Sequence, residues 1–102
     1  MLDTINPTAL TSFRTAAKTG QFLITAEVTP PKGGNPEHMV RMAATLKGRV
    51  HAVNITDGSR AVLRMCSLVA SAILLQNGIE PICQLACRDR NQISLQADLM
   101  GA

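Results

Sequence analysis

Three stretches rich in β-forming residues alternate with helical stretches, and this order constrains the fold more than any other feature of the chain. The predicted strands are QFLITAEVT (21–29), RVHAVNIT (49–56) and IEPICQLAC (79–87). Each is followed by apolar residues at helical spacing. Because a strand, a helix and a further strand return the chain parallel to its start, the alternation predicts an α/β fold with a parallel sheet.

Start and stop signals place a leading helix before the first strand and one helix after each strand. Asn6-Pro7 is predicted to begin the leading helix, and Gly20 to end it. Asn35-Pro36 begins the second helix and Gly48 follows its end. A long third helix follows the turn TDGSR and stops at Asn77-Gly78, and the last begins after a cap at Asn91 or Asp89.

The chain has 102 residues, which predicts a single domain over residues 1–102. Its 46% hydrophobic residues suit a buried core. Three parallel strands leave two unpaired edges, however, and the last apolar helix face has barely begun when the sequence stops. These observations predict the first part of a larger domain.

Composition argues against nucleic-acid and membrane partners. Aromatic residues make up 2% of the chain, so few side chains could stack on bases, and the net charge of +3 comes from scattered lysines and arginines. The most apolar stretch is interrupted by Arg64, Ser67 and Ser71, and the N-terminus carries no secretory pattern. We therefore expect a cytoplasmic protein.

The three cysteines and two histidines give no sign of a metal site. The CQLAC stretch lacks the C-x-x-C spacing of zinc ligands, and neither histidine has a partner at ligand spacing. We expect Cys66, Cys83 and Cys87 to be reduced thiols that act as small buried apolar side chains.

The stretch AEVTPPKGG carries a carboxylate, Glu27, near the end of an apolar strand. Strand residues alternate between two faces, and each predicted strand has one apolar face and one with a polar residue near its C-terminal end. Those polar residues are Glu27, Asn54, Thr56 and Gln84. If the sheet curls into a barrel, they meet at the rim where barrel enzymes place their chemistry. A partly desolvated Glu27 there would have a raised pKa and could donate a proton.

Plainer interpretations of the same residues stay open. Glu27 could be an ordinary exposed residue at a strand end, and Thr56 and Gln84 are routine hydrogen-bonding residues. The turn TDGSR leads into a predicted helix, so its amides could hold an anion, or Asp57 or Ser59 could be a simple N-cap.

FLITAEVTPPKGG, VNITDGSR and EPICQLACRDRN with LQADLMGA resemble, in this order, the first three strands of the methylenetetrahydrofolate reductase family. The resemblance runs from about residue 20 to the C-terminus, and EVTPPKG is its most specific part. It implies the N-terminal part of a (β/α)8 TIM barrel that binds FAD at the C-terminal ends of its strands. It also implies reduction of 5,10-methylenetetrahydrofolate to 5-methyltetrahydrofolate with NAD(P)H as electron donor.

The resemblance also implies roles for three residues. Glu27 matches the general acid that helps open the imidazolidine ring of the folate, and Thr56 matches a threonine that contacts the flavin. Gln84 stands where the family has a flavin-contacting histidine, so its stretch reads Gln-Leu-Ala-Cys in place of His-Leu-Thr-Cys. Gln can hydrogen-bond a flavin but cannot change charge.

A complete barrel of this type needs roughly 250 residues, so we expect either a fragment of a longer protein or a chain that a complementary C-terminal chain or a homo-oligomer completes, with little activity from this chain alone. Two other hypotheses stay open. One is a non-catalytic interaction module whose exposed edges dock on a partner subunit. The other is a small α/β binding domain without flavin, in which Glu27 is incidental.

Overall fold

The computed structural model describes residues 12–102. Its helices are α1 (Phe13–Lys18), α2 (Glu37–Leu46), α3 (Ser67–Gln76) and α4 (Gln92–Gly101). Its strands are β1 (Thr25–Val28), β2 (Ala52–Ile55) and β3 (Pro81–Cys83), with a short 3-10 turn at Ser59–Ala61. The predicted helix start at Asn6-Pro7 lies outside the described residues, within which α1 begins after Ser12, whose hydroxyl accepts from the Thr15 amide.

The three strands of residues 12–102 form a parallel sheet in the order β1-β2-β3. Ala26 lies beside Val53, and Val53 lies beside Pro81, so the register is continuous across the sheet. The predicted α/β class and parallel pairing are confirmed. The closed barrel stays a prediction, because these residues show an open sheet.

β1 is shorter than the predicted strand over residues 21–29. Pairing with the β2 side begins at Ile24, whose carbonyl accepts from the His51 amide at 2.7 Å and whose amide donates to His51 Nδ1 at 3.1 Å. Phe22 precedes this contact and is 86% exposed. Strand propensity extends further than the available partner, so the regular strand starts later than the sequence pattern predicts.

The hydrophobic core lies on one face of the sheet, under α2 and α3. Val28, Val53 and Ile55 point to this face, as the alternation predicts, and pack against helix residues. The buried helix residues of this core are Met39, Ala43, Ala70 and Leu74, with Ile79 from the following turn. The opposite face of β1 bears Thr25 and Glu27, both exposed.

The long third helix is predicted too early, since α3 begins only at Ser67. Residues 62–66 form no helix, and hydrogen bonds to the carbonyl oxygens of Pro30 and Pro31 hold this segment in place. Arg64 Nη1 donates to Pro30 O at 2.9 Å, and the Met65 amide donates to Pro31 O at 2.8 Å. These tertiary hydrogen bonds override the helical periodicity of the segment.

Asn91 is the cap of α4, as predicted, because its Oδ1 accepts from the Ser94 amide at 2.8 Å. Asp89 instead pairs with Arg88. Cys66, Cys83 and Cys87 are free thiols, as expected, but the expectation that they are buried is wrong: Cys66 and Cys87 are exposed and Cys83 is half-buried. Cys66 precedes α3 and Cys87 lies in the loop after β3, so neither occupies the core-facing position that a regular element would give it.

Candidate functional site

The polar residues at the strand ends share one side of the sheet. Glu27 lies beside Asn54 in the register, and Asn54 lies beside Ile82. Thr56 lies two residues beyond Asn54, and Gln84 lies two residues beyond Ile82. Strand alternation therefore predicts the same face for both. The hydrogen-bond ladder continues to this level, because the Thr56 amide donates to Val28 O at 3.5 Å and the Gln84 amide to Ile55 O at 3.2 Å.

Neighbouring strands lie roughly 5 Å apart, and two residues along a strand span roughly 7 Å. The main-chain positions of Glu27, Thr56 and Gln84 therefore lie near one another at the C-terminal end of the sheet. The register confirms that Glu27 and Asn54 share a face. It ends at Ile55 and Cys83, so the shared face of Thr56 and Gln84 stays a prediction from strand alternation. Their predicted roles in acid catalysis and flavin binding stay predictions.

Glu27 is exposed to solvent, so the expectation that it is partly desolvated is wrong, because β1 is an outer strand of the described sheet. It lines a cleft of about 320 Å³ at the outer edge of β1, together with Thr29, His38, Met42 and Arg64. The cleft is bordered by α2 on one side and by the segment that precedes α3 on the other. Neither Thr56 nor Gln84 lines this cleft.

Thr56 is 4% exposed, and its Oγ1 has no hydrogen-bond partner among the atoms that the structure describes. Buried hydroxyl groups usually have a partner, because an unsatisfied one costs about 1–3 kcal/mol. The Thr56 side chain is therefore suited to hydrogen-bond a ligand that reaches this face of the sheet.

The Gln84 side chain is exposed, whereas its main chain is held on both sides. Its amide donates to Ile55 O, and its carbonyl accepts from Ser67 Oγ at 2.6 Å. Ser67 is fully buried at the start of α3, so this hydrogen bond fixes the end of β3 to that helix. The amide group of Gln84 is left available to a ligand.

An ion-pair cluster that sequence reasoning missed lies directly beside these residues. Asp57 follows Thr56 and forms a bidentate pair with Arg90, with Oδ2 close to Nη1 and Oδ1 3.3 Å from Nη2. The Asp57 carboxylate also accepts from the Ala86 amide at 2.7 Å. Arg90 donates in addition to Ala86 O at 2.6 Å and to Asp98 Oδ2 at 2.8 Å.

Asp57 was predicted as a possible N-cap, with Ser59 as an alternative, and both interpretations are wrong. The 3-10 turn Ser59–Ala61 starts after Gly58 and has no side-chain cap. Asp57 is instead occupied by Arg90 and the Ala86 amide. The available signal was an acid directly after one strand and the basic stretch RDR after the next, but 33 residues separate the partners.

The charges of the cluster reinforce each other. Burial raises the pKa of the Asp57 carboxyl, but hydrogen bonds from Arg90 and the Ala86 amide, with the positive charges of Arg90 and Arg88, outweigh burial and hold that pKa below its ordinary value. The pKa of Arg90 is raised, chiefly by its hydrogen bonds to Asp57 and Asp98. Both groups are therefore charged at neutral pH.

Two features are absent from residues 12–102: a cluster of metal-binding side chains and a helix that could cross a membrane. No group of three or more His, Cys, Asp or Glu side chains in this part of the chain is placed to hold a metal ion. None of the helices there has the length and apolar character that crossing a membrane requires. His51, one of the two histidines, is buried and accepts a hydrogen bond from the Ile24 amide.

A parallel α/β sheet with a carboxylate, a hydroxyl and an amide at the C-terminal ends of its strands has the arrangement of an α/β enzyme site. The comparison with family models narrows this class. The methylenetetrahydrofolate reductase model matches residues 12–102, and the chain belongs to this family of oxidoreductases. Comparison with curated proteins gave no match, and comparison with solved structures gave none either.

Proposed function

We propose that this chain is the acid-bearing N-terminal part of a flavin-dependent methylenetetrahydrofolate reductase. The reaction would reduce 5,10-methylenetetrahydrofolate to 5-methyltetrahydrofolate, with NAD(P)H as donor and FAD as carrier. The observation that carries the proposal is the pairing of Glu27 with Asn54 at the C-terminal end of the sheet, where the main-chain hydrogen bonds continue to Thr56 and Gln84. Family membership supports the reaction type.

Glu27 is the proposed general acid. Its carboxyl would donate a proton to the ring nitrogen of the folate that leaves, so that the bond from this nitrogen to the bridging carbon breaks. The other nitrogen would keep that carbon as an iminium group, which is then open to hydride addition. Exposure of Glu27 is compatible with this role, because the proton must reach a bound folate.

The residues present fit a flavin. The buried Thr56 hydroxyl without a partner among the described atoms, and the exposed Gln84 amide beside it, are hydrogen-bonding groups suited to the polar edge or ribityl chain of FAD. When bound, FAD would supply the hydride that it receives from NAD(P)H. Thr56 and Gln84 would hold and orient it.

We further propose that the sheet works inside a larger (β/α)8 barrel. Both outer strands of the described sheet have a free edge, and large apolar side chains such as Leu63 and Ile93 are 86% and 80% exposed. Such edges and side chains are normally covered in a stable domain. A complementary C-terminal segment of a reductase barrel, or a second copy of the chain, would cover them.

A cytoplasmic location is part of the proposal. Cys66, Cys83 and Cys87 are free thiols, and free thiols persist in a reducing compartment.

The experiment is to purify the chain alone and after co-expression with the C-terminal barrel segment of a family member, and to record the visible absorbance band of flavin. We expect the band in the co-expressed sample. A matched variant, Thr56→Val, tests the hydroxyl contact. It keeps the shape of the side chain and removes its hydroxyl, so it should weaken FAD retention.

The alternatives predict different results. Stable association with the C-terminal segment, without a flavin band, would support the interaction module instead. A cooperative monomer that binds neither flavin nor the segment would support a flavin-free binding domain and would overturn the proposal.

A further inference from the structure

The Asp57–Arg90 pair joins the two loops that carry the proposed flavin contacts. Asp57 is adjacent to Thr56 in the chain, and the Ala86 amide that it accepts from lies two residues beyond Gln84. Arg90 binds the Asp57 carboxylate and Ala86 O at the same time. These hydrogen bonds form a closed link between the end of β2 and the end of β3.

Burial and geometry make this link rigid. The Arg90 and Asp57 side chains are only 15% and 11% exposed. A guanidinium group that faces a carboxylate with two nitrogens fixes both the distance and the orientation between them. Asp98 on α4 accepts a further hydrogen bond from Arg90, which ties the pair to α4.

A second arginine strengthens the same connection. Arg88 Nη2 donates to Gly58 O at 2.9 Å, which ties the loop after β3 to the residue that follows Asp57. Arg88 is half-exposed and paired with the exposed Asp89, so it contributes less than Arg90. The two loops are thus joined at two successive residues, Asp57 and Gly58.

We propose that Arg90 is a positioning residue for cofactor binding, which sets the spacing between the Thr56 hydroxyl and the Gln84 amide through its pair with Asp57. This inference rests on the proposed function, because it concerns the same flavin site. Arg90 does not itself lie on the shared polar face. It acts through Asp57 and Ala86, and small displacements of first contacts weaken a binding site strongly.

The test compares Arg90→Met, Arg90→Lys and Asp98→Asn in the co-expressed reductase. Arg90→Met removes every hydrogen bond of the guanidinium, and we expect FAD to bind about tenfold more weakly, with an altered visible spectrum of the bound flavin. Arg90→Lys keeps the charge without the two-nitrogen geometry, so its affinity for FAD should lie between those of the unsubstituted protein and Arg90→Met. It also tests the proposal if Arg90→Met does not fold.

Asp98→Asn is the variant that separates positioning from stability. It weakens the contact of Arg90 with α4 but leaves the Asp57 pair intact, so thermal stability should fall while FAD affinity stays within about twofold. Arg49→Met, a change to an exposed arginine just before β2 and at the other end of the strands, should alter neither quantity.

Amide hydrogen exchange on the full chain gives a readout without flavin. In Arg90→Met, protection of the Ala86 amide should fall about tenfold, whereas the Ala43 amide in α2 should exchange at its original rate. Unchanged FAD affinity and flavin spectrum in Arg90→Met, despite faster exchange at Ala86, would overturn the positioning role. Failure of the unsubstituted protein to bind FAD would overturn the proposed function and the role of Arg90 within it, with the exchange data still reporting whether the link exists.

Discussion

Glu27 owes its accessibility to strand alternation. Val28 is buried under α2, and the residues on either side of it, Glu27 and Thr29, point away from the core. The carboxylate therefore takes no part in core packing and lies at the C-terminal end of the sheet, as Thr56 and Gln84 do. Under the proposed function, a substitution at Glu27 would therefore remove its chemistry without disturbing the fold.

Glu27→Gln should abolish folate reduction and spare flavin reduction. In a reconstituted reductase we expect the rate of 5-methyltetrahydrofolate formation to fall by about 10²- to 10⁴-fold, because Gln cannot donate the proton. Reduction of the flavin by NAD(P)H should continue, since that half-reaction needs no acid on the folate. Stopped-flow absorbance measures the two half-reactions separately.

The matched control is Glu37→Gln, which changes an exposed glutamate in the first turn of α2. It should leave both half-reactions unchanged. Equal loss of the two half-reactions in Glu27→Gln would contradict the acid role.

Asp57→Asn should lower stability in a pH-dependent way. The pKa of Asp57 is held below its ordinary value in the folded chain, so its ionised form favours folding above the unfolded pKa of about 3.9. At neutral pH we expect the free energy of unfolding to fall by about 1–3 kcal/mol. The difference from the unsubstituted chain should shrink as the pH drops below about 4 and the folded carboxyl takes up its proton.

Urea unfolding over a series of pH values measures this difference. Asp89→Asn is the control, because the Asp89 side chain is 69% exposed and its pair with Arg88 is screened by solvent. A constant difference between Asp57→Asn and the unsubstituted chain from pH 7 down to pH 2 would show that the ionised carboxylate is not what stabilises the loops.

At the scale of the elements, sequence patterns predicted which segments are strands and helices, and their order. Boundaries failed where a tertiary partner decides them: β1 starts late because the His51 contact sets its first pair, and α3 starts late because residues 62–66 bond to the Pro30-Pro31 turn. Asn91 was found because a cap is a local signal.

The candidate site also combines features that local sequence patterns predict with one that they do not. The shared face of Glu27, Thr56 and Gln84 follows from a period of two along each strand, which a sequence displays. The pair Asp57–Arg90 depends on loops that meet in space although the partners are 33 positions apart in the sequence, and no local pattern encodes that meeting.

The interior of α3 gives a prediction at this scale. Leu74 is fully buried in the core, so Leu74→Ala should lower the free energy of unfolding by about 2–4 kcal/mol through lost burial and a residual cavity. The neighbouring Leu75 is 62% exposed, and Leu75→Ala should change it by less than about 0.5 kcal/mol. Denaturant unfolding of both variants checks the face assignment, and a larger loss for Leu75→Ala than for Leu74→Ala would mean that α3 packs by its other side.

For the molecule as a whole, the apolar face of the sheet is covered, whereas the opposite face is exposed at the outer strand β1. α2 and α3 cover the apolar face, whereas Glu27 and Thr25 on the opposite face of β1 are exposed. Several large apolar side chains of the described residues are also exposed, among them Phe22, Leu63, Ile93 and Met100. Such a surface favours association.

Phe22→Ser should reduce self-association of the isolated chain. Phe22 is 86% exposed beside the free edge of β1, so its removal takes away apolar surface without disturbing the core. Sedimentation velocity over a range of concentrations should show a shift toward the monomer. Gln96→Ser, a change to an exposed polar residue on α4, should leave the distribution unchanged, and an unaltered distribution in Phe22→Ser would rule out this edge as a contact.

The alternation along β1 also sets how freely this segment can diverge. The core constrains Val28 and places no packing requirement on Glu27 or Thr25. If Glu27 carries the proposed chemistry, the chemical constraint falls on the alternate positions. A lineage could then replace the reactive groups and keep the scaffold, or repack the scaffold and keep the reactive groups, within the same four-residue strand.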